Sequence, residues 1–325
     1  QTDGGNRFAR RKTPETERDS GMSVFLATDE QATAIEMACG GGDLTIEALA
    51  GCGKTTTLNM VANSMVGKSG VYVSFSKAIV EEAALRFPGT VECRTAHSLA
   101  YRAIGYKYKA RLNGQRQRYD EVARMFQVRP LAAEIDDIPV SLEPGDIVHL
   151  CKNAVDRFCQ GGDDELTVRS IPVPEPLWSV SWKFREAFGE SLLGTARAMW
   201  DDICSKKGKM RFSHNNYLKI WQLGKPRISA DYILFDECQD ANGVTLAVVM
   251  DQQHCQKVFV GDSYQQIYSW NGAVNAMQQT GEGQRCWLTE SWRFGSGVAD
   301  VANQMLAQLG SPAVLVGRGP DSEIG

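Results

Sequence analysis

The chain has 325 residues, of which 43% are hydrophobic and 23% charged, and a formal net charge of −4. It is too long for one ordinary domain, so we expect two lobes or one lobe with a large insertion. No apolar run reaches the ~20 residues of a membrane helix. Because the net charge is negative, any contact with nucleic acid must come from a local basic groove and not from the overall charge. Nine irregularly spaced cysteines without a C-x-x-C pair argue against a zinc module or disulfide framework and favour a cytosolic protein with reduced thiols.

The first residues predict no folded element. Residues 1–21 carry a basic cluster at 7–12 and almost no large apolar residues, which predicts a disordered lead-in, with Met22 a candidate native start. A basic arm that touches DNA is the alternative interpretation of the cluster. Thr28 and the acidic residues after it then predict a capped helix that ends near residue 40.

Strands and helices alternate in the next part of the chain. The patterns predict strands at 44–49, 71–75 and 91–94 and helices after residue 54, at 77–86 and at 95–104. Repeated βα units indicate a parallel sheet in an α/β lobe. Residues 106–225 lose this rhythm and contain several Pro and Trp residues, so we expect a mainly helical insertion. Strands at 232–235 and 257–260 complete the sheet, and a helix is expected at 296–309.

A glycine loop stands between the first strand and the second helix. In such a loop glycines turn backbone N–H groups toward phosphates, Lys54 places a cation on the β and γ phosphates, and the Thr55 hydroxyl can bind Mg²⁺. Ala48 occupies the first glycine position of the strict pattern, so the loop alone is also compatible with a chance Gly-Lys-Thr at a helix start.

An acidic pair follows the apolar strand at 232–235. Asp236 can hold a metal ion, and Glu237 can orient and deprotonate an attacking water. Two acids at such a place are by themselves more often a helix cap. Together with the glycine loop, however, they predict nucleotide hydrolysis. Cys52 and Cys238 lie within these two loops, and we expect small filler residues there rather than redox-sensitive thiols.

Seven short motifs in order give a more specific interpretation. They are Thr-Asp-Glu-Gln at 28–31, Ala-Gly-Cys-Gly-Lys-Thr at 50–55, Phe-Ser-Lys at 75–77, Thr-Ala-His at 95–97, Asp-Glu-Cys-Gln-Asp at 236–240, Gly-Asp-Ser-Tyr-Gln-Gln-Ile-Tyr-Ser-Trp at 261–270 and Glu-Ser-Trp-Arg-Phe at 290–294. This set resembles superfamily 1 DNA helicases of the UvrD/Rep type, in particular the branch of the F-box DNA helicases. The resemblance covers roughly residues 28–105 and 210–310.

The resemblance implies ATP and Mg²⁺ as cofactors, and single-stranded DNA and single/double-strand junctions as partners. The implied nucleotide-binding residues are Gln31, Gly51, Cys52, Gly53, Lys54, Thr55, Thr56 and Trp292. The implied catalytic residues are Lys54, Asp236, Glu237, Gln265 and Arg293. The implied metal ligands are Thr55 and Asp236. The implied DNA-binding residues are Phe75, Thr95, His97, Tyr268 and Trp270.

Each implied role has a physical counterpart. Gln31 would read the adenine edge and Trp292 would stack on its ring. Gln265 would sense the γ-phosphate and couple it to the DNA groove, while Arg293 would contact that phosphate. Aromatic rings along the strand path would stack on bases without sequence preference, although core packing is the alternative role for each. Asn271 stands where the family usually has arginine, which removes one expected polar contact.

The implied architecture is a RecA-like P-loop NTPase fold. Its ATP-binding lobe would comprise residues 22–105 and 226–310, with the insertion at 106–225 as a helical 1B-like subdomain. Residues 311–325 would begin a second lobe that lies beyond this sequence. We therefore expect the N-terminal half of a longer helicase, with slow hydrolysis by this half alone because a second arginine would be missing.

The sequence analysis favours an ATP-dependent DNA helicase or translocase, with 3′→5′ polarity expected from the resemblance alone. One alternative is a non-catalytic, ATP-gated DNA-binding module that acts with a partner such as a nuclease. Another is a small-molecule kinase, which gives no reason for Thr95 and His97. The expected location is cytoplasmic, at the nucleoid in a bacterium or phage host and in the nucleus of a eukaryote.

Overall fold

The computed structural model describes residues 26–112, 114–135, 138–266, 276–280 and 283–321. The expected lead-in at 1–21 and the residues Tyr268, Trp270 and Asn271 lie outside the described residues. No helix in the described ranges has the length and apolar character needed to cross a membrane.

Six strands form one parallel sheet. They are β1 (Leu44–Ala48), β2 (Gly70–Val73), β3 (Val91–Arg94), β6 (Tyr232–Phe235), β7 (Gln256–Gly261) and β8 (Gln284–Leu288). Their order across the sheet is β3-β2-β6-β7-β1-β8, and every neighbouring pair is parallel. β1, β2 and β6 are buried along their whole length. The apolar runs of β2 and β6 are typical of parallel strands with both faces covered, whereas β1 also buries Thr45 and Glu47.

The helices are α1 (Asp29–Gly40), α2 (Lys54–Ser64), α3 (Lys77–Arg86), α4 (Ala96–Ala103), α5 (Tyr119–Met125), α6 (Pro144–Gln160), α7 (Trp182–Cys204), α8 (His214–Leu223), α9 (Gly243–Met250) and α10 (Ser296–Gln308). The predicted α/β class and parallel sheet are confirmed. The helix at 77–86 has the predicted bounds, and the others expected in the α/β part agree to within a residue or two. β8 and α9 were not predicted.

In the central strands β2, β6 and β7, alternate residues face two different cores. In β2, Val71 and Val73 pack on the side of α4 and the inserted helices, whereas Tyr72 packs on the side of α1 and α2. β6 repeats this pattern, with Ile233 on the first side and Leu234 on the second. The period of two follows from strand geometry, and it turns Tyr72 toward the side on which the glycine loop enters α2.

The segment between α4 and β6 is helical, with one exception. Helices α5 to α8 dominate it, but β4 (Leu131–Ile135) and β5 (Ile138–Leu142) form an antiparallel hairpin that the sequence analysis did not predict. Buried residues of α6, α7 and α8 share one continuous core with β2, β6 and β7. This segment therefore covers one face of the sheet.

Candidate functional site

The candidate site residues that the structure describes gather at the carboxyl edge of the sheet. Lys54 follows β1, Phe75 follows β2, and Thr95 follows β3. Asp236 and Gln265 come after β6 and β7, and the residues Trp292 and Arg293 come after β8 and the short strand β9 (Glu290–Ser291). In an open parallel sheet this edge is where ligands bind, so residues far apart in sequence meet there.

The glycine loop has the backbone that its sequence predicts. Gly51 and Gly53 lie in the left-handed region, with φ of 77° and 76°, and Gly53 is the N-cap of α2. A Cβ at Gly51 would lie 2.5 Å from Ser291 Oγ. The Trp292 N–H donates to Gly51 O at 3.2 Å. Only glycine fits this turn without strain, and α2 begins directly after it with its free N–H groups.

Asp236 is fully buried and accepts several hydrogen bonds. Its Oδ2 accepts from Thr55 Oγ1 at 2.9 Å and from the Tyr72 hydroxyl at 2.6 Å, and its Oδ1 accepts from the Glu237 N–H at 2.9 Å. Burial, followed by the charge of Glu237, raises the pKa of Asp236. A cation bound at its carboxylate would favour the ionised form, because opposite charge offsets desolvation.

Glu237 has an unusual backbone and a charged partner. Its φ of 51° and ψ of 42° place it in the left-handed region, which few non-glycine residues occupy. Its Oε2 lies 2.8 Å from Lys54 Nζ, in a pair that is largely shielded from solvent. Strained backbone of this kind, at a cost of about 1–3 kcal/mol, persists at functional sites because its surroundings hold it. The two predicted catalytic residues are thus in direct contact.

Gln239 links the acidic pair to the loop after β7. Its Nε2 donates to Glu237 Oε2 at 2.8 Å, and its Oε1 accepts from the Asp262 N–H at 3.1 Å. Asp262 in turn accepts from Gln265 Nε2. A Cβ at Gly261 would lie 2.5 Å from Gln239 Oε1, so the glycine makes room for this amide. A continuous chain of contacts therefore runs from Lys54 through Glu237 and Gln239 to Gln265.

An open cleft of about 300 Å³ lies over the glycine loop. Its lining includes all the implied phosphate-contacting residues that the structure describes and one further cation, Arg86. Arg86 Nη2 donates to Thr56 Oγ1 at 3.3 Å, which holds the guanidinium at the cleft. The full lining is Gly51, Cys52, Gly53, Lys54, Thr55, Thr56, Arg86, Glu237, Gln265 and Arg293. Three cations thus face one small volume, as binding of a polyphosphate would require.

Gln31 and Trp292 flank the loop. Gln31 is buried, its Nε2 donates to Thr57 Oγ1 at 3.2 Å, and its Oε1 accepts from the Thr28 N–H at 3.1 Å. These contacts leave the amide one N–H with which to donate to a base nitrogen. The Trp292 side chain is 58% exposed while its backbone is tied to Gly51, so a face of its ring is accessible beside the loop.

Glu237 also lines a second, much smaller cavity. Phe75, Thr95 and His97 line it, and its volume of about 20 Å³ suffices for one water. Phe75 is 44% exposed. Thr95 Oγ1 caps α4 by accepting from the Ser98 N–H at 3.1 Å. His97 Nε2 lies 3.2 Å from Asn215 Oδ1, and burial lowers the pKa of His97.

Glu237 lines both cavities. One is the cleft over the glycine loop, and the other is lined by the residues that the sequence analysis assigns to a nucleic-acid path. Of the catalytic candidates that the structure describes, no other borders both cavities. Glu237 is therefore the candidate through which occupancy of one cavity can affect the other.

The two loop cysteines are poor nucleophiles. Burial raises the pKa of Cys52 to about 12, and burial with the charge of Asp236 raises the pKa of Cys238 as well. A thiol must lose its proton to react. Both side chains are buried, in agreement with the expectation of small filler residues.

The residues present fit Mg²⁺ and a nucleoside triphosphate. The Thr55 hydroxyl and the Asp236 carboxylate are hard oxygen ligands that are 2.9 Å apart, and Mg²⁺ bound with phosphates needs only one or two protein ligands of this kind. The turn at Gly51 and Gly53 and the N-terminus of α2 supply N–H groups for phosphate oxygens.

The comparison with known families decides the assignment of the chain. The model of the UvrD/REP helicase N-terminal domain matches residues 27–282. The chain belongs to the UvrD/REP helicase family. The match begins just before α1 and ends just before β8, so it contains the glycine loop, the acidic pair and the loop after β7.

Curated relatives of this UvrD/REP family chain include three helicases. F-box DNA helicase 1 of Gallus gallus is 33% identical over 305 residues, which are 88% of this chain and 28% of that protein. F-box DNA helicase protein 1 of Schizosaccharomyces pombe is 32% identical over 307 residues, 89% of this chain and 34% of that protein. DNA helicase IV of Escherichia coli K12 is 29% identical over 147 residues, 41% of this chain and 22% of that protein. The chain spans about a third or less of the length of each relative.

Sequence reasoning missed three residues of this UvrD/REP site. Tyr72 orients Asp236, Gln239 links Glu237 to Asp262, and Arg86 adds a cation to the cleft. A tyrosine within a buried strand implies that its hydroxyl has a hydrogen-bond partner. The signal is weak, because the sequence does not identify that partner. Gln239 lies within the acidic motif itself and could have been found there. Arg86 carries no signal, because only the tertiary fold brings the end of α3 to Thr56.

Proposed function

We propose that this chain provides the ATP-binding part of an ATP-dependent DNA helicase that translocates on single-stranded DNA. The observation that carries the proposal is that Glu237 lines two cavities, one over the glycine loop and one beside Phe75 and His97. A small-molecule kinase would not need the second cavity. Family membership and the names of the relatives support the same conclusion.

In this proposal each polar group of the cleft has a defined task. Lys54 binds the β and γ phosphates, while Thr55 and Asp236 hold Mg²⁺, which when bound neutralises phosphate charge. Glu237 orients the attacking water and accepts its proton. Tyr72 keeps the Asp236 carboxylate in one orientation through its 2.6 Å hydrogen bond. Gln265 and Arg293 line the cleft, and in this proposal both would contact the γ-phosphate.

In this proposal the Lys54–Glu237 ion pair separates during the reaction. At 2.8 Å, the Lys54 N–H that contacts Glu237 Oε2 is not available to a phosphate oxygen, and that carboxylate oxygen is not available to a water. Binding of the triphosphate would draw Lys54 away and free Glu237 for the water. The hydrogen bond from Gln239 would then hold the Glu237 carboxylate in place.

The nucleic-acid part of the proposal depends on the second cavity. Phe75 offers a half-exposed ring for stacking on a base, and Thr95 and His97 present polar groups beside it. The 3′→5′ direction, the preference for single/double-strand junctions and a nuclear or nucleoid location are inferred from the family resemblance. Tyr268 and Trp270, which lie outside the described residues, are assigned to DNA binding by the resemblance alone.

Nucleotide binding tests the first half of the proposal. We expect the 325-residue chain to bind a fluorescent ATP analogue in the presence of Mg²⁺. Lys54→Ala should raise the Kd about tenfold to a hundredfold, because it removes a charged partner of the phosphates. Lys68→Ala, an exposed lysine just beyond α2, is the control and should leave the Kd unchanged. Equal affinity in the two variants would contradict the assignment of the loop.

Binding of a fluorescent oligothymidylate tests the second half. Phe75→Ala should weaken binding by the loss of one stacked base, which is worth about 1–3 kcal/mol. Leu85→Ala, an exposed apolar residue on α3, should have no effect. If the wild-type chain binds ATP but no oligonucleotide, a P-loop enzyme that acts on a small molecule becomes the better description.

A further inference from the structure

The insertion carries an exposed aromatic cluster that the proposed function leaves unused. Trp178, Trp182 and Phe184 are 65%, 62% and 41% exposed, and they lie within seven consecutive residues. Val180, between them, is buried and anchors the segment to the core. Three large rings exposed within so short a segment are uncommon on a protein surface, and exposed aromatic surface of this kind is a candidate interaction site.

The rings are held on ordered backbone. The Trp178 indole Nε1 donates to Val173 O at 2.9 Å, so the ring is fixed while most of its surface stays accessible. Trp182 and Phe184 occupy the first turn of α7, whose next turn is anchored by the buried Phe188. Rings that are fixed before binding lose little conformational freedom when a flat partner stacks on them.

The charges around the cluster favour an anionic partner. Lys183 and Arg185 are exposed, and neither has an ion pair among the described residues. From Trp178 to Arg185 the stretch contains no acid, and its two cations alternate with the rings; the nearest acids in sequence, Glu175 and Glu186, lie outside it. The first turn of α7 contains no acidic residue. Cations at a helix N-terminus are unfavourable by about 0.3–1 kcal/mol each, so this turn is not arranged for helix stability.

We propose that Trp178, Trp182 and Phe184, with Lys183 and Arg185, form a second contact for single-stranded DNA on the insertion. Exposed rings interleaved with cations are what a strand with unstacked bases requires: the rings take the bases and the cations take the phosphates. A double helix would offer the rings no accessible base faces. This inference rests on the proposed function, because it extends the same strand beyond the cavity at Phe75.

The position of the cluster sets the length of strand required. Near its other end, Met199 of α7 lines the same cavity as Asn215, which contacts His97. Trp182 and Met199 are therefore about 26 Å apart along α7, at 1.5 Å per residue. At the ~3.4 Å per nucleotide of a stacked strand, about eight nucleotides cover this distance. A very short oligonucleotide should reach the first site alone.

The test compares two oligothymidylates, of about five and about 25 nucleotides, by fluorescence anisotropy. Trp182→Ala should raise the Kd of the long strand about tenfold and leave that of the short strand unchanged, whereas Trp182→Phe should retain most of the affinity. Lys183→Gln with Arg185→Gln should also lower the salt dependence of long-strand binding, by about 0.7 for each phosphate that is no longer neutralised. Leu309→Ala, of similar exposure and directly after α10, is the control.

The outcomes separate this inference from the proposed function. Unchanged long-strand affinity in Trp182→Ala would overturn the second contact and would point to a protein partner for the cluster. An equal loss for both strand lengths would also overturn it, since it would indicate a general effect on the fold. If the wild-type chain binds neither strand, the proposed function itself fails. A loss confined to the long strand supports the second contact.

Discussion

Buried charges have different partners at the carboxyl edge of the sheet and in the insertion. At the edge, charged groups meet one another: Lys54 pairs with Glu237, and Asp236 is surrounded by hydrogen-bond donors. In the insertion, the fully buried Lys219 forms no ion pair with a carboxylate of the described residues. Its Nζ donates to the carbonyl oxygens of Gly161 and Asp163 and lies 4.1 Å from the Phe158 ring centroid.

This difference fits two roles: the carboxyl edge holds the candidate site, and the insertion stabilises the structure around it. Charges that pair at the edge can exchange partners when phosphate and metal arrive. Lys219 instead fixes the loop after α6, where Gly162 approaches Gly243 at the start of α9, so closely that a Cβ at Gly162 would lie 3.1 Å from Gly243 O. The insertion is thereby joined to the helix that follows the acidic pair. The edge thus holds charges that are paired with one another, and the insertion holds a buried cation that fixes a loop.

The largest effect should come from crowding the edge. Gly51→Ala combines a left-handed φ of 77° with contacts at 2.5 Å to Ser291 Oγ and 2.8 Å to Arg293 Cβ. We expect it to lower the free energy of unfolding by about 3 kcal/mol. Gly67→Ala has nearly the same φ, 78°, but nothing within 4 Å, and should cost about 1 kcal/mol. Urea denaturation measures both, and equal losses would refute the close packing of loop and edge.

A smaller effect should follow from cutting the hydrogen-bond chain at the edge. Gln239→Ala removes the donor to Glu237 and the acceptor for the Asp262 N–H. We expect phosphate release to slow about tenfold with little change in nucleotide affinity, because the change acts on the base and not on phosphate binding. Gln239→Glu restores only the acceptor and should not recover the rate. Gln253→Ala, an exposed amide after α9, is the control. A proportional loss of affinity would contradict this positioning role.

The smallest effect concerns the buried cation of the insertion. Burial lowers the pKa of Lys219 to about 8 from its ordinary 10.5. Between these values the unfolded chain binds more protons than the folded chain, so the contribution of Lys219 to stability rises with pH, by up to about 1.4 kcal/mol per pH unit. Below pH ~8 the full cost of burial is present.

Urea denaturation at about pH 7.5 and about pH 9.5 checks this sign. The wild-type protein should gain about 1–2 kcal/mol relative to Lys219→Met over this interval. Lys225→Met is the control, because Lys225 is exposed and its hydrogen bond to Asp164 raises its pKa out of this range. A gain of equal size in both comparisons would mean that Lys219 is not the group responsible.

The edge could be predicted from the sequence because its signals are local. A glycine turn before Lys54 and an acidic pair after a buried strand each indicate the end of a strand. Because the strands are parallel, their carboxyl ends lie at one edge of the sheet, which brings these residues together. The α/β class and most elements of the lobe followed from the same signals. The positions of Phe75, Thr95 and His97 around one cavity agree with the motif order, although their roles remain predictions.

The insertion could not be predicted in the same way. Its β4–β5 hairpin, the burial of Lys219 and the exposure of Trp178 and Trp182 depend on tertiary contacts that leave no period in the sequence. A lysine inside a short helical pattern is ordinarily a solvated residue. Gln239 was missed for another reason. It follows Asp236 and Glu237 in the same motif, and only the tertiary structure shows that it contacts the Asp262 N–H.

The most direct test of the account is phosphate release from Mg·ATP in a single turnover, with and without oligothymidylate, by the wild-type chain and Glu237→Gln. The account predicts slow release that single-stranded DNA accelerates, and that Glu237→Gln abolishes while it still binds nucleotide and DNA. If DNA does not change the rate of phosphate release, or if Glu237→Gln does not lower that rate, the coupling of the two cavities through this carboxylate is contradicted. Binding of both ligands without any release would identify an ATP-gated module instead of a motor.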